Sequence, residues 1–90
     1  MNIVNPTVES VPSLAGMSIS EIARLIRRDW KKVYFGATPY LSAMACMEKV
    51  TDNYGCDSGA SIVNYFLCNA STWRGEVAKA VKKELNKRAK

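Results

Sequence analysis

Apolar side chains recur along this chain with a helical period, and the recurrences divide it into four segments. Ile19, Ile22, Ala23, Ile26, Trp30 and Val33 repeat at three- and four-residue steps. At ~100° per residue they share one helix face. Arg24, Arg27, Arg28, Lys31 and Lys32 fall on the opposite face. Ser18 and Glu21 have the spacing of a capping box, and Met17 and Ile22 that of a hydrophobic staple. A first helix is therefore predicted over 18–35, with Gly36 as its stop. Val33 to Phe35 would also suit a short extended piece.

Thr38-Pro39 has the pattern of an N-cap followed by proline at the first helical position, where the missing N–H costs nothing. Tyr40, Met44, Met47 and Val50 form its stripe, and Ala43 and Ala45 allow close helix approach. This second helix is predicted over 38–54, closed by Tyr54-Gly55. No charged side chain occurs from Ser58 to Trp73, and Ile62, Val63, Tyr65, Phe66, Leu67, Cys68 and Ala70 crowd that stretch. A segment apolar nearly all round is usually buried on most sides. Residues 57–70 are accordingly predicted to form the central helix, capped by Asp57 or Ser58. Spanning a bilayer takes ~20 mostly apolar residues, and this stretch is too short and too polar for that.

Cap-forming residues from Asn69 to Thr72 break the chain again, although one continuous kinked helix is the alternative. Trp73, Val77, Val81 and Leu85, four apart, predict a last helix over 72–88, with Lys79, Lys82, Lys83, Lys87 and Lys90 pointing the other way. Residues 1–17 hold Pro6, Pro12 and Gly16 and have no helical period. They are predicted to be an arm, extended or disordered, laid over the core through Ile3, Val4 and Leu14. The predicted fold class is all-α: a compact single-domain bundle of about four helices, 18–90, with an irregular N-terminal arm.

Charge changes this picture more than composition does. With 48% hydrophobic and 23% charged residues the chain has the balance of a folded domain. Its net charge is +5, and the excess is local. Residues 1–73 carry as many acidic as basic side chains, whereas residues 74–90 carry seven basic ones against Glu76 and Glu84. Such asymmetry points to an acidic partner, of which nucleic acid is the commonest. The candidate contact residues are Arg24, Arg27, Arg28, Lys31 and Lys32 on the first helix and Lys79, Lys82, Lys83 and Lys87 on the last. Phosphate contacts would give affinity and salt dependence without sequence choice. The plain counter-reading is a pair of solvated faces that keep a small protein in solution. Tyr34, Phe35 and Tyr40 bracket a loop and are the aromatics expected to stay partly exposed; the others belong to apolar stripes.

Catalysis has little support. The chain has no histidine, so the usual proton carrier is missing, and no base stands beside a Ser or Cys nucleophile. Glu48, Asp52 and Asp57 flank a turn, where carboxylates serve more often as caps. The run Gly55-Cys56-Asp57-Ser58-Gly59 lacks the lysine of a nucleotide loop, and Asp57 would repel a phosphate. It reads as a tight turn with a cap. Cys46, Cys56 and Cys68 are odd in number and have no CxxC spacing, which fits buried or idle thiols in a reducing compartment and gives no metal site. The N-terminal residues lack the pattern of a signal peptide, so a cytoplasmic location is expected. The expected protein is non-enzymatic, without metal or cofactor, and a monomer or homodimer. A small enzyme using Cys56 or Asp57 is a third, weaker alternative.

Two blocks of residues carry a resemblance. Asp29-Trp30, Val33-Tyr34-Phe35-Gly36-Ala37, Pro39-Tyr40-Leu41 and Ala43-Met44 form the first. Tyr54-Gly55, Asp57, Gly59, Ile62-Val63, Tyr65-Phe66-Leu67, Asn69-Ala70 and Trp73-Arg74-Gly75 form the second. Together, across about Ile19 to Leu85, they resemble a family of small, mostly uncharacterised proteins carried by phages and mobile elements. The resemblance supplies no catalytic residues. It implies a setting in which such proteins inhibit or modulate a host nucleoprotein defence system, as anti-CRISPR proteins do. Many such inhibitors are acidic mimics of nucleic acid; a basic chain would instead touch an acidic protein surface or the nucleic acid of the complex. A nucleic-acid-binding accessory module with no defence role is the alternative.

Overall fold

Ser18 begins the first helix as a reciprocal pair with Glu21. Its hydroxyl accepts from the Glu21 N–H at 3.1 Å, and the Glu21 carboxylate accepts from the Ser18 N–H at 2.8 Å. The computed structural model describes residues 13–55 and 57–90, and in it this cap opens helix α1, Ile19–Asp29. Three more helices follow: α2, Thr38–Met44; α3, Gly59–Cys68; and α4, Glu76–Arg88. A 3-10 turn at Phe35–Ala37 leads into α2, and a two-residue antiparallel ladder, β1 Asn53–Tyr54 with β2 Asp57–Ser58, leads into α3. The fold is an all-α bundle. No helix among the described residues is long and apolar enough to cross a membrane.

The four helices pack as a ring, α1 on α2, α2 on α3, α3 on α4, and α4 back on α1. The core is the space they enclose, filled by Ile19, Ile22, Ile26, Leu41, Met44, Val63, Phe66, Val81 and Leu85. No helix is central, which corrects the expectation for the uncharged segment. Only Gly59, Ile62, Val63 and Phe66 of α3 are buried; Asn64, Tyr65 and Cys68 face outward. The segment lacks charge because its exposed positions hold neutral polar, aromatic and thiol groups, not because it is buried on most sides.

The helix ends also fall short of the sequence periodicity, each for a local reason. Helix α1 stops at Asp29, six residues before the predicted end. Trp30 turns extended (φ −92°, ψ 91°), and this carries its ring onto Trp73, centroids 5.7 Å apart and nearly parallel. Phe66 meets both tryptophans edge-on. The Trp73 Nε1–H donates to the Asp29 carboxylate at 2.9 Å, so the one polar atom of this buried ring is satisfied.

Helix α2 ends at Met44 and not near residue 54. The chain beyond it gives its backbone groups to other partners. The Met47 and Glu48 carbonyls accept from Ser20 and Ile19, filling the first free N–H groups of α1. The Asp52 carboxylate folds back to accept from the N–H groups of Glu48 and Lys49. Gly59 sits so close to this turn that an added Cβ would lie 2.6 Å from the Val50 carbonyl oxygen. Any side chain there would push α3 off the turn.

Ser58 caps α3, accepting from the Ser61 N–H at 3.1 Å. After Cys68 the chain leaves the helix, and Trp73 is buried from a loop, not from the helix predicted over 72–88. Helix α4 begins only at Glu76, after Gly75 with φ 117°. The third and fourth helices are separate. At the other end, Leu14 is buried against the core, as expected of the arm; Ile3 and Val4 lie outside the described residues.

Candidate polyanion-binding surface

The basic side chains fall into two groups, those engaged in holding the fold and those without a protein partner. Arg88 belongs to the first. Its guanidinium bonds the Glu84 carboxylate at 2.6 Å, the Met17 carbonyl at 2.7 Å and the Leu14 carbonyl at 2.6 Å. It thereby fastens the segment before α1 onto the last turn of α4. Arg88–Glu84 is the one salt bridge among the described residues.

Of the residues predicted to make contact, Arg24, Arg27 and Arg28 do lie on one exposed face of α1. Arg27 donates to the Ser42 hydroxyl at 3.1 Å, which leans it toward α2. Lys31 and Lys32 are exposed but stand beyond the end of α1, in the bend that follows Trp30. They do not extend the arginine face as a helix would have placed them. On α4, Lys79, Lys83 and Lys87 are exposed, and Lys82 is half-buried. The Lys82 ammonium donates to the Trp73 carbonyl at 2.7 Å, so this lysine also closes the loop over the core. Two of its three protons remain for another acceptor. Burial first, and the neighbouring Arg74 charge second, lower its pKa.

Two clefts lie against these groups. The first, about 700 Å³, is lined by Met17, Glu21, Arg24, Glu48, Lys49 and Arg88 among others. Its charges are mixed. Glu21, held below the usual carboxylate range by the Ser18 N–H, then the Ser18 hydroxyl and more weakly by Arg24, is anionic at neutral pH. The second, about 340 Å³, is lined by Trp73, Arg74, Gly75, Ala78, Lys79 and Lys82. It contains no carboxylate. It also opens at the start of α4, whose first turn has no side-chain cap and so keeps free N–H groups. Arg74 was not among the predicted contact residues. The signal for it was available: it is the first basic residue after the uncharged stretch, directly before a glycine.

The three loop aromatics keep part of their surface, as predicted, though unequally. Tyr34 is 44% exposed and Phe35 79%, but Tyr40 is half-buried against Tyr65, which is itself 46% exposed. Tyr65 was expected in the core. Its position on α3 lies outside the stripe of Ile62, Val63 and Phe66.

Asp52 is a backbone cap, and no group of three His, Cys, Asp or Glu that could hold a metal ion occurs among the described residues. Of the two expectations for the cysteines, burial or an idle thiol, burial fails for Cys46 and Cys68, which are exposed free thiols; Cys56 lies outside the described residues. Comparison of the chain with family models, with curated proteins and with solved structures gives no match.

Proposed function

We propose that this is a non-enzymatic binding protein that engages a polyanion, namely nucleic acid, either bare or within a nucleoprotein complex. One observation supports this above the others. Among the described residues the exposed cations of α1 and α4 have no carboxylate within salt-bridge distance, Arg88 alone being paired. Solvated faces of small helical proteins commonly interleave acids and bases along each helix. Here Arg74, Lys79 and Lys82 converge on one cleft whose lining holds no carboxylate.

In this reading Arg74, Lys79, Lys82, Lys83 and Lys87 contact backbone phosphates, and Arg24, Arg27, Arg28, Lys31 and Lys32 extend the contact. Arginine's planar fork suits phosphate at the α1 face, while the lysines act as point charges. The resemblance to mobile-element proteins suggests a setting for this activity: the cytoplasm of a bacterial host, with a defence nucleoprotein as the target. The protein acts as a monomer or homodimer and needs no cofactor.

Fluorescence anisotropy with short labelled DNA and RNA, titrated with salt, tests the proposal. The expected result is binding whose log K falls linearly with log salt, with a slope near −0.7 to −0.9 per phosphate contacted. No binding at ~50 mM salt, where attraction is little screened, overturns it.

A further inference from the structure

Resting on the polyanion reading above, we infer that the preferred ligand is single-stranded nucleic acid, with Tyr34, Phe35 and Tyr65 stacking on its bases. Phe35 is the most exposed large apolar side chain described, on a 3-10 turn between α1 and α2. It is not isolated. The Tyr34 and Phe35 rings lie 4.8 Å apart, tilted at 55°. The Tyr65 and Tyr40 rings form a second pair at 5.4 Å.

Asn69 joins the two pairs. Its Nδ2 donates to the Tyr65 carbonyl at 2.8 Å, and its Oδ1 would lie 2.9 Å from a Cβ added at Gly36. The Tyr34 ring covers the same glycine, so closely that the added Cβ would stand 2.5 Å from its Cε2. A residue without a side chain at 36 is therefore what lets Tyr34 lie back over the turn toward α3. The two ring pairs thus stand on elements that meet at Asn69.

Charge complementarity identifies the occupant. Lys31 and Lys32 are exposed on the same loop, and Arg28 is exposed in the last turn of α1. Exposed rings beside exposed cations match a strand that offers bases and phosphates together. A duplex offers the phosphates but keeps its base faces stacked inside, whereas an unpaired strand presents both. A purely apolar partner would leave the three cations without a counterpart.

The test uses a labelled oligodeoxythymidylate of about 15 nucleotides and a duplex of the same length, with the full chain and three variants. Phe35→Ala is expected to weaken single-strand binding roughly tenfold, since one base stack is worth about that much, while leaving duplex binding unchanged. Phe35→Trp is expected to retain single-strand affinity and to gain fluorescence quenching on binding. Because Phe35 is exposed, circular dichroism of both variants should match the parent. Lys79→Glu with Lys83→Glu separates the two ideas. If this pair weakens binding and Phe35→Ala does not, the polyanion reading stands and the stacking inference is overturned. Equal or tighter duplex binding overturns the inference too. So does a Phe35-dependent dimer in sedimentation, if the oligonucleotide affinity is unaffected, because a second copy would then cover the rings.

Discussion

The groove at the start of α1 and the cleft at the start of α4 are both lined by basic side chains, yet those side chains are in opposite states. In the groove, Arg88 is bound to four main-chain or carboxylate acceptors and Arg24 shares space with Glu21 and Glu48. In the cleft, Arg74 and Lys79 are exposed with no carboxylate in the lining, and Lys82 keeps donors free. Even the helix starts differ. The first N–H groups of α1 are filled by the carbonyls of Met47 and Glu48, whereas the α4 start has no side-chain cap. A count of lysines and arginines does not distinguish the two places. What distinguishes them is whether the fold already supplies an acceptor.

The largest effect expected is at the floor of the cleft. Trp73→Ala removes the stacking partner of Trp30 and the donor to Asp29, at ~3–5 kcal/mol out of a total stability of ~5–15 kcal/mol. A circular dichroism melt should show the midpoint lowered by roughly 12–40 °C. Next comes the groove. Arg88→Met should cost about 2 kcal/mol in urea unfolding, as charged hydrogen bonds to the Leu14 and Met17 carbonyls are lost, and should leave oligonucleotide affinity unchanged. A loss of affinity without a loss of stability would break the distinction between the two regions.

Lys79→Glu with Lys83→Glu should do the reverse. Stability should stay within ~0.5 kcal/mol, while the salt slope of binding flattens by about 1.4–1.8 as two phosphate contacts go. The smallest expected effect is on pH. Glu21 and Asp52 both have folded-state pKa values below their ordinary 4.5 and 3.8 because backbone N–H groups donate to them. Their contribution is complete above those ordinary values and is lost as pH falls through the lowered ones. Melting temperature should hold from neutral pH to about 5 and then decline. The double variant Glu21→Gln, Asp52→Asn should start lower and decline less. Both carboxylates belong to the α1 end of the molecule, so acid should loosen the groove before the cleft.

Much of the fold was legible because its signals are local. Ser18 with Glu21 fixed where α1 begins, and the α1 stripe gave Ile19, Ile22, Ala23 and Ile26 as core. Ser58, Val81 and Leu85 were likewise readable. The errors came where long-range partners override the period. Trp30 leaves the helix because Trp73, distant in sequence, stacks on it. Residues 45–52 leave the α2 helix because Asp52 and the α1 N–H groups take their backbone bonds. The turn formers Asp52, Asn53 and Gly55 carried a hint of the ladder that helical periodicity hid. Among the contact candidates, the arginines of α1 were placed correctly on one face. Lys82 could not be recognised as a fastening residue, since its acceptor is a main-chain carbonyl that no sequence pattern marks.

The stacked tryptophans have an optical consequence. They are the two indoles of the chain, held face to face at 5.7 Å beneath the surface. Chromophores that close share their excited states, so the folded protein should carry an exciton contribution in far-ultraviolet circular dichroism. That contribution would vanish with the core. Intrinsic indole emission would therefore report the closing of the ring of helices, while events at Tyr34, Phe35 and Tyr65 would leave it silent. One molecule thus offers two separable spectroscopic channels, an interior one in the indoles and a surface one in the phenols.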